Sequence, residues 1–169
     1  MSLTVYQTSV PVFLRTLRNL RGIVEKGAAY SSARKLDDGV LLNARLYPDM
    51  LPFTFQIQVA TDMARGGAAR LAGQEPPKFE DNETTFAQLI DRIDRTIAYI
   101  ESLDRKAFEG AEERTIVRPV RGQPHTFTGL SYLQQTVIPN LYFHTTIAYG
   151  LLRHNGVELG KFDFLGKME

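Results

Sequence analysis

The stretch Val137–Phe164, VIPNLYFHTTIAYGLLRHNGVELGKFDF, decides the fold. Leu141, His144, Ala148 and Leu151 recur at three- and four-residue spacing, the period of one helical face. Asn155-Gly156 stops that helix, since glycine accepts the left-handed backbone that a helix C-terminus takes. Pro139 lies inside the pattern and predicts a bend that frees the carbonyl of Gln135. The tail Val157–Phe164 is apolar at Leu159, Phe162 and Phe164. It is expected to fold back, with Lys161 and Asp163 facing water.

Upstream, Thr128 is a reasonable N-cap for the same helix, and Leu130, Leu133 and Val137 extend its inner stripe. Tyr132, Tyr142, Phe143 and Tyr149 then form a second, aromatic surface. A hairpin, the tail or another subunit must cover it. Residues 104–128 break the helical pattern. Thr115-Ile116-Val117 and His125-Thr126-Phe127 are β-prone runs separated by Pro119, Gly122 and Pro124, which predicts a short β-hairpin or an extended excursion. Two strands alone are marginal in water, so the excursion must lie on the helices.

Three more amphipathic segments precede it. Phe86, Leu89, Ile90, Ile93, Ile97, Ile100 and Leu103 hold a helical period, and Thr85 with Gln88 has the spacing of a capping box. Asp91, Arg92, Asp94 and Arg95 are read as its outer face. A second helix runs from about 50 to 71, with Asp49 as its N-cap, Pro52 in its first turn and Gly73 closing it. Residues 73–83 are polar and proline-rich, a surface connection. A first helix spans 3–27, containing Pro11 and ending at Gly27. Residues 28–48 dock Leu36, Val40, Leu41, Leu42 and Leu46 on the core, as one short helical turn. The expectation is an all-α fold, a four-helix bundle forming a single domain over 1–169.

Composition narrows the function classes. The chain has 169 residues, 43% hydrophobic and 23% charged, as ordinary globular proteins do. A net charge of +1 gives no footprint for nucleic acid or an anionic membrane. No run of about 18 apolar residues predicts a membrane span. The start MSLTVYQTSV does not read as a signal peptide. Absent cysteine removes disulfides, thiolate catalysis and zinc–sulfur sites. A cytoplasmic protein is the simplest expectation.

The histidines are His125, His144 and His154. His125 falls in the hairpin and His154 at a helix end, where it can interact with the C-terminal dipole. His144 alone points inward, and the position one turn on is Ala148. A histidine-based metal site wants two or three converging ligands. An inward histidine is therefore either a hydrogen-bonded core residue or a functional group. On the second helix Asp49, Gln56, Ala60 and Met63 share a stripe, and a buried Gln56 amide needs partners. A His144–Gln56 contact is expected, with Asp49 or Arg45 nearby and Asn140 beside the Pro139 bend. Such a pocket either fixes helix register or binds a ligand or a weak metal. No phosphate loop, nucleophile elbow, catalytic carboxylate pair or basic–aromatic cluster is found.

Three segments carry a resemblance: Arg45–Pro52 (RLYPDMLP), the following Gln56, and Pro139–Phe164. The chain resembles the DinB/YfiT-like superfamily of bacterial four-helix bundles. The resemblance implies a bundle with a long crossover between antiparallel pairs, which agrees with the excursion at 104–128, and it implies homodimers. It also implies a divalent metal such as zinc or nickel, held by one histidine early in the second helix and an HxxxH pair in the fourth. Some relatives are metal- or thiol-dependent transferases or isomerases. On that pattern Gln56 stands where the helix-two histidine is expected, His144 is the first of the pair and Ala148 replaces the second. The expectation is a bundle without the metal triad and with no cofactor. It would bind a small ligand around His144, Gln56, Asp49, Arg45 and Asn140, or act as a dimeric interaction module. The alternative is a transferase-type enzyme with an atypical site, with His144 as metal ligand or general base.

Overall fold

Thr4 starts the first helix through a capping box. Its hydroxyl accepts from the Gln7 N–H, and the Gln7 side chain accepts from the Thr4 N–H. The computed structural model describes residues 3–120 and 122–167. Helix α1 (Val5–Ala33) runs past both Pro11 and Gly27. Gly27 does not end it. A Cβ there would stand 2.9 Å from Leu152 Cδ1 and 3.0 Å from Phe86 Cε1, so the glycine permits close packing instead. The connector forms one short helix, α2 (Asp38–Leu42), capped by Asp37. It buries Leu41 and Leu42, whereas Leu36, Val40 and Leu46 stay exposed.

Helix α3 (Phe53–Leu71) begins after Pro52, and no side chain caps it. Asp49 is therefore not its N-cap. Asp49 lies instead in a turn closed by the Met50 N–H on the Tyr47 carbonyl at 2.9 Å. Pro48, with its fixed φ, suits the second position of that turn. Gly73, at φ 72°, ends α3 as expected. Helix α4 (Phe86–Glu101) carries the Thr85–Gln88 capping box read from the sequence.

Residue pairs fix the helix directions. Arg18 pairs with Glu101 and Arg21 with Asp94, so α1 and α4 are antiparallel. Phe53 lies by Phe86, and Thr61 accepts from Arg92 Nε, so α3 and α4 are parallel. A parallel pair needs a connection that travels back along its length. Residues 72–85 make that return, not the excursion at 104–128.

The return segment is anchored by a group misplaced by periodicity. Arg92 is fully buried, not on an outer face. Its guanidinium donates to the Thr61 hydroxyl, the Glu80 carbonyl and the carboxylates of Asp62 and Glu83, and forms an ion pair with Asp81. Glu83 is buried too and also accepts from Gln58 at 2.9 Å. Burial alone would raise the Glu83 pKa, but the hydrogen bonds from Gln58 and Arg92 together hold it below the ordinary value. Phe79 adds an apolar anchor, with the Arg65 guanidinium 3.9 Å from its ring centroid.

After a 3₁₀ turn at Arg105–Phe108, strands β1 (Thr115–Val120) and β2 (Gln123–Thr128) pair antiparallel, with Ile116 opposite Phe127. Those two residues face inward, and the rest of the hairpin is largely exposed. Thr128 then caps α5 (Gly129–Tyr132), as its sequence position suggested. The chain continues through a π-helical segment, Leu133–Val137, into α6 (Ile138–His154). The extra residue in a π turn shifts the helix face. Leu130, expected inside, is 41% exposed, while Tyr132, expected outside, is 1% exposed. The same break puts Pro139 in the first turn of α6, where a missing N–H costs little.

Gln56 meets His144 while Gly67 meets Val137, so α3 and α6 are antiparallel. The end of α4 and the start of α6 thus lie at one end of the molecule. Asn155 and Gly156 (φ 92°) close α6 as expected. The tail folds back, burying Val157 and Leu159, and forms a short helix, α7 (Lys161–Leu165), on α1. Its helical geometry breaks the expected alternation. Phe162 faces water at 68% exposure, and Asp163 turns inward to pair with Lys26 at 2.7 Å. Residues 168 and 169 lie outside the described residues. The described residues are mostly helical with one small antiparallel sheet, and none of their helices is long and apolar enough to cross a membrane.

Candidate functional site

Gln56 sits in the first turn of α3 and is 3% exposed. A buried amide must satisfy both ends. Its Nε2 donates to the Leu51 carbonyl at 2.9 Å, in the segment leading into the helix. A carbonyl only accepts, so the amide cannot be reversed, and Oε1 faces α6. There His144 Nδ1 lies 2.8 Å away. The structure thus brings together the two residues that the sequence pointed to.

His144 is half-buried and flanked by two aromatic edges. Phe143 lies at 5.1 Å between ring centroids and Phe55 at 6.3 Å, both near perpendicular. Burial pushes the His144 pKa below the usual histidine value, favouring the neutral ring. Nε2 has no hydrogen-bond partner among the described residues and is not sealed from solvent. Neither Phe55 nor Phe143 was singled out for the site by sequence. The available signal was adjacency, since each precedes one member of the polar pair.

The other expected residues do not join the pair. Arg45 is exposed and spends Nη1 on the Met50 carbonyl at 2.6 Å, bracing the turn that holds Asp49. Asp49 is exposed, with no hydrogen bond to His144 or Gln56. Asn140 donates to the Thr136 carbonyl at 2.6 Å, so its amide satisfies backbone within the π segment. His125 is exposed against Phe127, and His154 is exposed in the last turn of α6.

A three-ligand metal does not fit these residues. Ala148, buried one turn from His144, offers no donor atom. Gln56 Oε1 is already engaged by the imidazole. Among the described residues no three histidine, aspartate or glutamate side chains converge as a metal-holding group. One imidazole nitrogen is left as the free donor.

A larger cleft, of about 1020 Å³, lies between the start of α1, the 3₁₀ turn and the α5–α6 junction, lined in part by Tyr6, Phe108, Leu130 and Ile138. It shares no residue with the His144 pair. Its charged groups, among them Arg105, Lys106 and Glu109, are exposed. Volume without a buried polar group assigns no chemistry, so the candidate site is the polar pair at His144.

The aromatic surface of the last helix is covered in part, by the hairpin and by the tail. Tyr132 lies under the hairpin, 5.7 Å from Phe127. Tyr149 meets Phe164 of the tail at 6.2 Å. Tyr142 and Phe143 remain 42% and 56% exposed.

Comparison with known proteins agrees with this architecture. No curated protein matches the chain. A crystal structure of a DinB family member protein from Shewanella denitrificans is 44% identical in sequence, over 97% of this chain and 93% of that one, with a TM-score of 0.90. Residues 5–165 match the family described as a domain of unknown function, DUF1993. The chain therefore belongs to the DUF1993 family, within the DinB-like superfamily.

Proposed function

We propose that residues 1–169 form one DinB-like four-helix-bundle domain that has given up the superfamily's metal triad and binds a small molecule at His144. The observation that carries this reading is the 2.8 Å contact between His144 Nδ1 and Gln56 Oε1, which leaves Nε2 free on a ring packed near Phe55 and Phe143. The bundle reading rests on α1, α3, α4 and α6 and on the return of the chain through 72–85, which serves as the long crossover. The protein acts in the cytoplasm as a homodimer, with Tyr142 and Phe143 at the contact. Their exposure on adjacent positions of one helix supports that surface.

Two measurements test this. Elemental analysis of protein prepared with zinc and nickel supplied is expected to find far less than one ion per chain. One ion per wild-type chain, lost in His144→Ala, would overturn the reading in favour of a metal-dependent transferase-type enzyme. Sedimentation velocity at micromolar concentration is expected to give a dimer that the double variant Tyr142→Ser, Phe143→Ser converts to monomer. A monomeric wild type would remove the dimer.

A further inference from the structure

We infer that Gln56 locks His144 in its Nδ1–H tautomer, so that the site presents a bare Nε2 lone pair and selects small molecules bearing an O–H or N–H donor on an apolar body. The argument starts at Leu51. Its carbonyl can only accept, and it lies 2.9 Å from Gln56 Nε2. The amide orientation is thereby fixed, and Oε1, which also only accepts, faces His144 Nδ1 at 2.8 Å. Two acceptors cannot share that distance without a proton between them, so Nδ1 carries the hydrogen. In the neutral ring the remaining nitrogen is then an acceptor. This reverses the preference of free histidine, which favours the proton on Nε2.

The surroundings narrow the ligand further. Phe55 and Phe143 lie near perpendicular to the imidazole at 6.3 and 5.1 Å between ring centroids, so the ring that carries Nε2 sits among apolar surface. A phenol, alcohol or neutral amine matches that combination. A molecule offering only acceptors, such as an ether or a carboxylate, would face the lone pair unfavourably. Gln56 acts here as a positioning residue, because it sets what His144 can accept without touching the ligand. The ligand class rests on the ligand-binding reading above; the tautomer does not.

Nitrogen-15 NMR of the imidazoles in the full-length protein tests both parts. The neutral His144 ring is expected to show a protonated Nδ1 and an unprotonated Nε2. In Gln56→Met, which removes the acceptor at similar length, the proton is expected to move predominantly to Nε2. A wild-type ring with the proton mainly on Nε2, or divided evenly, overturns the lock while leaving ligand binding itself standing. Phenol and anisole then serve as probes, equal in ring but different in the donor. Phenol is expected to shift the Nε2 signal saturably, with affinity roughly five- to tenfold above anisole, the range of one neutral hydrogen bond. Equal affinities, or no response to phenol, overturn the donor selection even if the lock holds.

Discussion

Replacing Arg92 with alanine is expected to cost about 3–5 kcal/mol of folding free energy. The cost comes from what is left behind. Arg92 and Glu83 have side-chain exposures of 0% and 4%. Removing the guanidinium leaves Glu83 as a buried charge with Gln58 as its side-chain partner. Asp62 and Asp81 lose the same cation, but at 38% and 58% exposure they rehydrate, so they contribute little. Arg65 offers a contrast on the same ring. Its Nε and Nη1 are buried without hydrogen bonds, and burial holds its pKa below the usual arginine value. Arg65→Met should therefore cost much less than Arg92→Ala, because it removes a poorly satisfied cation. Urea unfolding followed by circular dichroism measures both. The acid limb is a second readout of the same contact. Because the folded-state pKa of Glu83 is depressed, the unfolded chain binds the proton first as pH falls. The stabilisation is complete above the ordinary glutamate pKa of about 4.3 and is lost as the pH falls below it. In Arg92→Ala that part of the acid slope should shrink. An Arg92→Ala protein within about 1 kcal/mol of wild type would show that the crossover is held by something else.

That network also shows where reading the sequence stops. Arg92 falls at a polar position of α4, and its burial depends on partners 9 to 31 residues away that only the return of 72–85 brings near. No local period carries that information. Local signals fared better. Thr85 with Gln88, Thr128, and Asn155-Gly156 each act through backbone groups a few residues away, and each appears where its spacing placed it. The His144–Gln56 contact was legible because His144 is a polar residue on an apolar inner stripe and Gln56 one on a partly apolar inner face. The aromatic neighbours and the inversion of Leu130 and Tyr132 were not, since counting a constant angle per residue fails across a π segment. Asp49 misled for a related reason. An acidic residue before a helix can cap it, but Pro48 committed the chain to a turn first.

The second large effect is expected at Gly129, where alanine should cost about 3 kcal/mol or more. Its backbone is not in the left-handed region, so conformation does not require glycine there. Space does. A Cβ would stand 1.8 Å from the Ala111 carbonyl oxygen and 3.0 Å from its carbonyl carbon. The obstacle is backbone, which has no rotamer to yield. Relief requires the 111–112 segment and the start of α5 to part, which breaks the Leu130 N–H bond to the Glu112 carbonyl at 3.1 Å. It also loosens the seat of Tyr132 beneath Phe127, from which the π segment and α6 are launched. Gly150, inside α6, has nothing within 4 Å of an added Cβ. There the same substitution should stabilise by roughly 0.5–1 kcal/mol through helix propensity alone. The pair separates steric from conformational effects, because one chemical change is expected to have opposite signs. Since α6 carries His144, Gly129→Ala should also lengthen its contact with Gln56, visible as a shift of the His144 Nδ1 resonance toward that of free histidine. If Gly129→Ala is as stable as wild type, the backbone approach at Ala111 does not hold the α5–α6 junction. An unmoved His144 signal in a clearly destabilised Gly129→Ala would instead mean that the α3–α6 packing at Gly67 and Val137 alone sets the site's geometry.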